Sequence, residues 1–165
     1  MRLPRYLDID LSAGTVKPYP ISEGVFRKYV GGKILAARIM LAETRPGIDP
    51  FEPENIIVVN TGPLTATGVP SSGRFNITTK NVLTGGIGTS NCGGNFGIKL
   101  RRAGIDGLII RGRARQPVYI EVTGGNGHIH QAGHLWGLDT EAVQTKLPGE
   151  YGKIEIGRAS CRERV

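Results

Sequence analysis

The segment Leu83-Thr84-Gly85-Gly86-Ile87-Gly88-Thr89-Ser90-Asn91-Cys92-Gly93-Gly94-Asn95-Phe96-Gly97 places six glycines within fifteen residues. That density frees the backbone for close approach to a ligand. It predicts a glycine-rich loop over 81–94, followed by a short helix from about Asn95 to Arg102 with Gly104 just past its end. The unpaired N–H groups of a helix start favour phosphate or another anion, so the segment reads as an anion cradle. It lacks the Lys-Ser/Thr of a P-loop, and no preceding strand fits a dinucleotide fingerprint. Taken alone, a structural turn is an equally good reading.

Around this loop the pattern is of many strands and few helices. Tyr6–Leu11 alternates like a half-buried strand. Residues 16–19 form a short return strand in which Pro18 favours a sheet edge. Ser22 is a candidate N-cap for apolar residues at helical spacing, which Gly31-Gly32 interrupts before the pattern resumes to about Glu43. The reading is two short helices or one with a glycine break. Ile56–Asn60 is rich in β-branched residues, the mark of a buried strand. Residues 74–79, 107–112 and 118–122 are further strands, and Gly124-Gly125-Asn126-Gly127 turns the last of these into a hairpin with 128–130. Asp139 caps a final helix that Gly149 follows. Strands and short helices without regular βαβ alternation predict an α+β fold, mainly β-sheet.

A length of 165 residues suits one domain, and 39% hydrophobic with 21% charged residues indicates a globular chain. No apolar stretch approaches the roughly 18–20 residues that span a bilayer. The first residues show no secretory pattern, so the cytoplasm is the default compartment. The tail Ile156–Val165 back-translates, in one reading, to ATC GGA AGA GCG TCG TGT AGG GAA AGA GTG, which resembles read-through into a sequencing adapter. Residues 156–165 are therefore expected to be an artefact, leaving 1–155 as the natural part. The tail carries three Arg and one Glu, so the formal +7 falls to +5, a balance that suits an acidic ligand without demanding one. It also takes Cys161 with it. The remaining Cys92 makes neither a disulfide nor a CxxC site, and one thiol cannot hold an iron–sulfur cluster.

Few side chains stand out for chemistry. Arg74, in Ser71-Ser72-Gly73-Arg74-Phe75-Asn76, could clamp a phosphate in bidentate fashion, although a solvated Arg at a strand start is commoner. The turns Thr61-Gly62-Pro63-Leu64-Thr65 and Ser71-Ser72-Gly73 could add hydroxyls and backbone donors, or be ordinary turns. Asn91 could offer a side-chain or backbone oxygen to magnesium, or simply tolerate a left-handed turn. Cys92 is more often a small buried apolar residue than a ligand. His128, His130 and His134 match no zinc spacing. Lys99, Arg101 and Arg102 suit a helix C-terminus. No aromatic residues interleave with basic ones, as a nucleic-acid surface would require.

The order of these pieces is more specific than any one of them. Pro53-Glu54-Asn55 and a strand, Thr61-Gly62-Pro63-Leu64-Thr65, Gly73-Arg74-Phe75-Asn76, Leu83-Thr84-Gly85, Ser90–Gly97, Leu100–Gly107 and His134-Leu135-Trp136-Gly137 together resemble the aldehyde:ferredoxin oxidoreductase family over nearly all of residues 1–155. The resemblance implies an incomplete N-terminal domain that forms the base for a bis-pyranopterin cofactor of tungsten or molybdenum. By resemblance, Arg74 is the arginine at the cofactor. Asn91 is the residue whose oxygen lies beside a magnesium ion bridging the pterin phosphates. Gly93, with Gly94 beside it, makes the backbone contact to the pterin. The dithiolene sulfurs hold the tungsten, so this segment need not supply its ligands. Where the family often has Gly-Arg-Gly-Leu, this chain has Gly32-Lys33-Ile34-Leu35.

The implied parent enzyme oxidises an aldehyde to a carboxylic acid and passes electrons through a 4Fe–4S cluster, bound outside this segment, to ferredoxin. No catalytic residue is expected within the segment itself, which alone would be inactive. A family member that reduces an aromatic acyl-CoA or a carboxylic acid is the alternative. A non-catalytic anion- or phosphate-binding module is the alternative of another class. Neither a nucleic-acid nor a membrane partner is expected, and a homo-oligomer of the full-length protein stays open.

Overall fold

The computed structural model describes residues 2–151. The expected artefact at 156–165 and its boundary at Glu155 lie outside them. Six strands form one mixed sheet in the order β2-β1-β6-β3-β4-β5, and β7 and β8 form a separate hairpin. The strands are β1 (Tyr6–Asp10), β2 (Thr15–Tyr19), β3 (Ile56–Thr61), β4 (Phe75–Lys80), β5 (Ile87–Cys92), β6 (Gly107–Arg111), β7 (Val118–Thr123) and β8 (Asn126–Gln131). The helices are α1 (Glu23–Tyr29), α2 (Gly32–Glu43), α3 (Phe96–Arg102) and α4 (Thr140–Tyr151). The fold class is α+β, as the sequence predicted. Among the described residues only β1 and β6 pair in parallel; the other ladders are antiparallel.

Both sheet faces are covered, each by a distinct apolar cluster. On one face Leu35, Ala36, Ile39 and Met40 of α2 pack against Tyr6, Ile56, Val58 and Ile109. On the other, Leu100 of α3 joins Leu7, Ile9, Val59, Phe75, Ile105 and Leu108, with Ile120, Val122 and Ile129 of the hairpin against them. This explains the run Ile56–Asn60. A central strand covered on one face throughout and on the other at Val59 and Thr61, with Ile57 left exposed, loses most of the apolar–polar alternation and reads as nearly continuous β-branched residues. Pro18 lies in β2, at the sheet edge where a missing N–H costs no ladder bond.

Four boundaries differ from the sequence reading, the first being the hairpin turn, which is Gly124-Gly125 alone because Asn126 and Gly127 already pair with Thr123 and Val122 in β8. The glycine-rich region 81–94 is not all loop, because Ile87–Cys92 is the edge strand β5, in register with β4 from Lys80↔Ile87 to Phe75↔Cys92. Cross-strand pairing supplied by β4 overrides the low strand propensity of Gly88 and Asn91. Arg74 precedes β4 instead of opening it. Gly149 lies within α4 rather than after it. The helical pair is genuinely broken: α1 ends in a tight turn at Val30, where the Gly31 N–H donates to the Tyr29 carbonyl at 2.7 Å.

Candidate functional site

One cross-strand row organises the polar end of the sheet. Registers pair Tyr6 with Gly107, Gly107 with Asn60, Asn60 with Asn76 and Asn76 with Asn91. Paired residues share a face, so three asparagines stand side by side across β3, β4 and β5. The row is dense because Gly107 has no side chain: a Cβ there would lie 2.2 Å from the Tyr6 ring. The ring crosses β6 through that gap, and the Asn60 amide donates to its hydroxyl at 3.3 Å and to the Gly32 carbonyl at 2.6 Å. Burial pushes the Tyr6 phenol pKa upward, which keeps it neutral. The Asn60 side-chain oxygen is buried without a partner among the described residues.

Asn76 is buried, and its amide nitrogen reaches three acceptors on β5. These are Thr89 Oγ1 at 2.6 Å, the Ser90 carbonyl at 3.0 Å and Asn91 Oδ1 at 3.1 Å. Thr78 Oγ1 donates to the Asn76 oxygen from the other side at 2.5 Å. Asn91 itself is exposed at the sheet edge. Its place on a strand removes the left-handed-turn reading.

The Arg74 segment and the Gly93-Gly94 loop, twenty residues apart, meet through glycines. A Cβ on Gly73 would lie 3.2 Å from the Gly94 carbonyl, and one on Gly97 would lie 3.0 Å from the Gly73 carbonyl and 3.2 Å from the Phe75 Cβ. Only bare backbone permits that approach, so glycine at 73 and 97 is what seats the start of α3 on residues 73–75. Phe96 adds a tilted ring contact to Phe75, with centroids 4.7 Å apart. Arg74, Asn91, Gly93 and Gly94 are all exposed, and a Cβ on Gly93 would meet nothing within 4 Å. Among the described residues the Arg74 guanidinium has no hydrogen bond or ion pair, like those of Arg102, Arg113 and Arg115, whereas Arg2, Arg27, Arg45, Arg101 and Arg111 are ion-paired.

Thr65 ties in the turn ahead of Arg74. Its hydroxyl accepts from the Gly62 N–H at 3.2 Å and lies 3.4 Å from the Arg74 carbonyl as donor. Arg101 was read as a helix-end cation, but it does more. Its guanidinium donates to the carbonyls of Gly62 and Pro63 at 2.7 and 2.8 Å and lies 3.4 Å from the buried Asp106 carboxylate. No local pattern reveals such a contact across nearly forty residues. Arg101, Asp106 and the Gly62-Pro63 turn line a cleft of about 460 Å³ with Arg2, Tyr6 and Phe26. Arg74 and Asn91 do not line that cleft.

The histidines belong elsewhere. His128 and His130 sit on β8, with His130 Nε2 2.8 Å from Glu121 Oε2 and its ring stacked on Tyr119. Cys92 is half-buried at the end of β5, packed against the α3-side core.

The exposed residues fit a phosphate-bearing, magnesium-bound group better than a small enclosed substrate. They offer an unpaired guanidinium, an oxygen at a strand edge and a loop with open space around its backbone. Together they make a platform, not a pocket.

A sequence profile described as aldehyde ferredoxin oxidoreductase, N-terminal domain, matches residues 6–163. The tungsten-containing aldehyde ferredoxin oxidoreductase of Pyrococcus furiosus is 36% identical over 156 residues, which are 94% of this chain and 26% of that protein. The enzyme of the same name from Thermococcus kodakarensis is 37% identical over the same lengths. Among solved structures, the active site complex BamBC of benzoyl coenzyme A reductase, in complex with 1,5-dienoyl-CoA, matches with a TM-score of 0.87 and 26% identity, covering 92% of this chain and 23% of that one. The chain spans about a quarter of the length of the curated relatives it matches.

Proposed function

Since the chain belongs to the aldehyde ferredoxin oxidoreductase family, as its N-terminal domain, we propose that it forms the floor of a tungstopterin site in an enzyme that oxidises an aldehyde to a carboxylic acid with ferredoxin as acceptor. The observation that carries this reading is the platform. The glycine junction brings the backbone on either side of Arg74 against the Gly94 carbonyl and the start of α3, and Asn91 lies on the strand that leads into the Gly93-Gly94 loop.

When bound, the cofactor supplies the two-electron chemistry, and the protein supplies position and electrostatics. Arg74 would clamp a pterin phosphate through its forked N–H donors. Asn91 would offer oxygen to the magnesium that neutralises the phosphates. Gly93 and Gly94 would let the pterin approach the backbone without a side chain between them. No residue of this segment has a role at the reacting carbon. The substrate pocket and a 4Fe–4S cluster are assigned to the remainder of the parent protein.

Arg74→Ala and Arg74→Lys in the holoenzyme test the reading through tungsten and pterin per protein. Arg74→Ala should lower cofactor occupancy about tenfold, the effect of losing a charge-assisted bidentate pair, and Lys should restore only part of it. Full occupancy in Arg74→Ala would sink the proposal. The benzoyl coenzyme A reductase likeness supports the second reading, an enzyme that reduces an aromatic acyl-CoA. The higher identity to the aldehyde enzymes favours the first. Assaying the holoenzyme with aldehydes and with benzoyl-CoA separates them.

A further inference from the structure

Asn76 is a buried amide at the centre of the polar row, and the proposed function gives it no task. Its orientation is fixed by chemistry. The Ser90 carbonyl only accepts hydrogen bonds, so the atom 3.0 Å from it must be the amide nitrogen. The Thr78 hydroxyl, donating to the amide oxygen, locks the same orientation from behind. The nitrogen therefore faces Thr89, Ser90 and Asn91 together. It carries two hydrogens for three acceptors. Thr89 and Ser90 take the shorter contacts, which leaves Asn91 Oδ1 the most weakly held, with lone-pair capacity to spare.

We propose that Asn76 is a positioning residue: it pins three consecutive residues of edge strand β5 so that the oxygens of Asn91 face the bound cation. The proposal rests on the reading of Asn91 as an oxygen donor to magnesium beside the pterin phosphates. An edge strand has a neighbour on one side only, and β5 is short and bears Gly88. Its ladder with β4 sets the strand position but leaves side chains free to turn. The Asn76 amide holds the Thr89 hydroxyl and the Ser90 carbonyl, which fixes β5 immediately ahead of Asn91, and it keeps the Asn91 oxygen within a longer, shared contact. Such partners of a metal ligand typically set affinity by one to two orders of magnitude.

The test compares Asn76→Ala, Asn76→Asp and Thr78→Val in the holoenzyme. The readouts are magnesium per tungsten, the rate of magnesium loss to EDTA and the thermal midpoint. Asn76→Ala and Asn76→Asp should release magnesium about tenfold faster. Thr78→Val leaves the amide in place but unlocks it, and should show a smaller acceleration of release together with a lower midpoint, because it leaves the buried Asn76 oxygen without its donor. That last variant keeps the test decisive if the Asn76 variants fail to fold. A merely structural Asn76 would lower the midpoint and leave magnesium release unchanged across the folded variants, which overturns the assignment. A wild-type holoenzyme that holds no magnesium overturns the parent reading instead.

Discussion

At the residue scale, the site depends on atoms that are missing. Gly107 is the clearest case, since the Tyr6 ring fills the space a Cβ would need, at 2.2 Å. Gly107→Ala must push the ring off Asn60 or bend β6, and overpacking of a filled core costs about 1–3 kcal/mol. We expect the thermal midpoint to fall by about 5–10 °C, read by circular dichroism; an unchanged midpoint would show that the ring moves freely. Sequence alone singled out Arg74, Asn91, Gly93 and Gly94 because they fall within ordered motifs. It passed over Asn60 and Asn76, whose significance lies in register. A buried Asn in a strand looks like a weak strand former until its neighbours across the ladder are known. Arg101 was read only as a helix-end cation for the same reason, since its carbonyl partners lie on a distant turn.

Strain and charge act at the scale of the element. Val30 adopts φ 61°, ψ −55° between α1 and α2, the rare and strained form of γ-turn, which a β-branched side chain tolerates poorly. It is also 52% exposed, so little packing compensates. Val30→Gly should therefore raise stability by about 0.5–1 kcal/mol in urea unfolding, after the entropic cost of glycine is set against the relieved strain. The break itself was legible as Gly31-Gly32, although the strained residue is the one before them. The β1–β2 hairpin carries a different dependence. The Tyr19 hydroxyl donates to Glu43 at 2.8 Å, and Glu43 also pairs with Arg111 at 3.0 Å. Burial, then the neighbouring Glu43 carboxylate, pushes the phenol up to about 12 from 10.0. The folded-state pKa is the higher one, so its stabilising contribution is intact below pH 10 and is lost as pH rises toward 12. Urea unfolding across that window should show stability falling with pH, with a shallower slope in Tyr19→Phe. Equal slopes would remove Tyr19 as a source.

The whole molecule shows why strands were easier to read than the sheet they build. A run of β-branched residues made β3 obvious, whereas β5 depends on a partner far from it in kind: Phe75–Lys80 has apolar spacing and Ile87–Cys92 does not. That same strand leaves the sheet with an edge opposite β2. Beside it Ile34, Ala37 and Leu41 recur along α2, and with Tyr29 and Ile87 they line an apolar groove. Ile34 and Leu41 are 60% and 73% exposed. A strand open on one side among the described residues, next to exposed apolar side chains, is a template for association, through backbone pairing and through burial of the groove together. We therefore expect the 165-residue chain, expressed by itself, to self-associate with rising concentration in light scattering. Leu41→Lys combined with Ile87→Lys places charges on both walls of the groove, and should shift the chain toward monomer without lowering its thermal midpoint, because neither side chain is in the core. If the unaltered chain stays monomeric at high concentration, the groove is too shallow and β5 too short to template association.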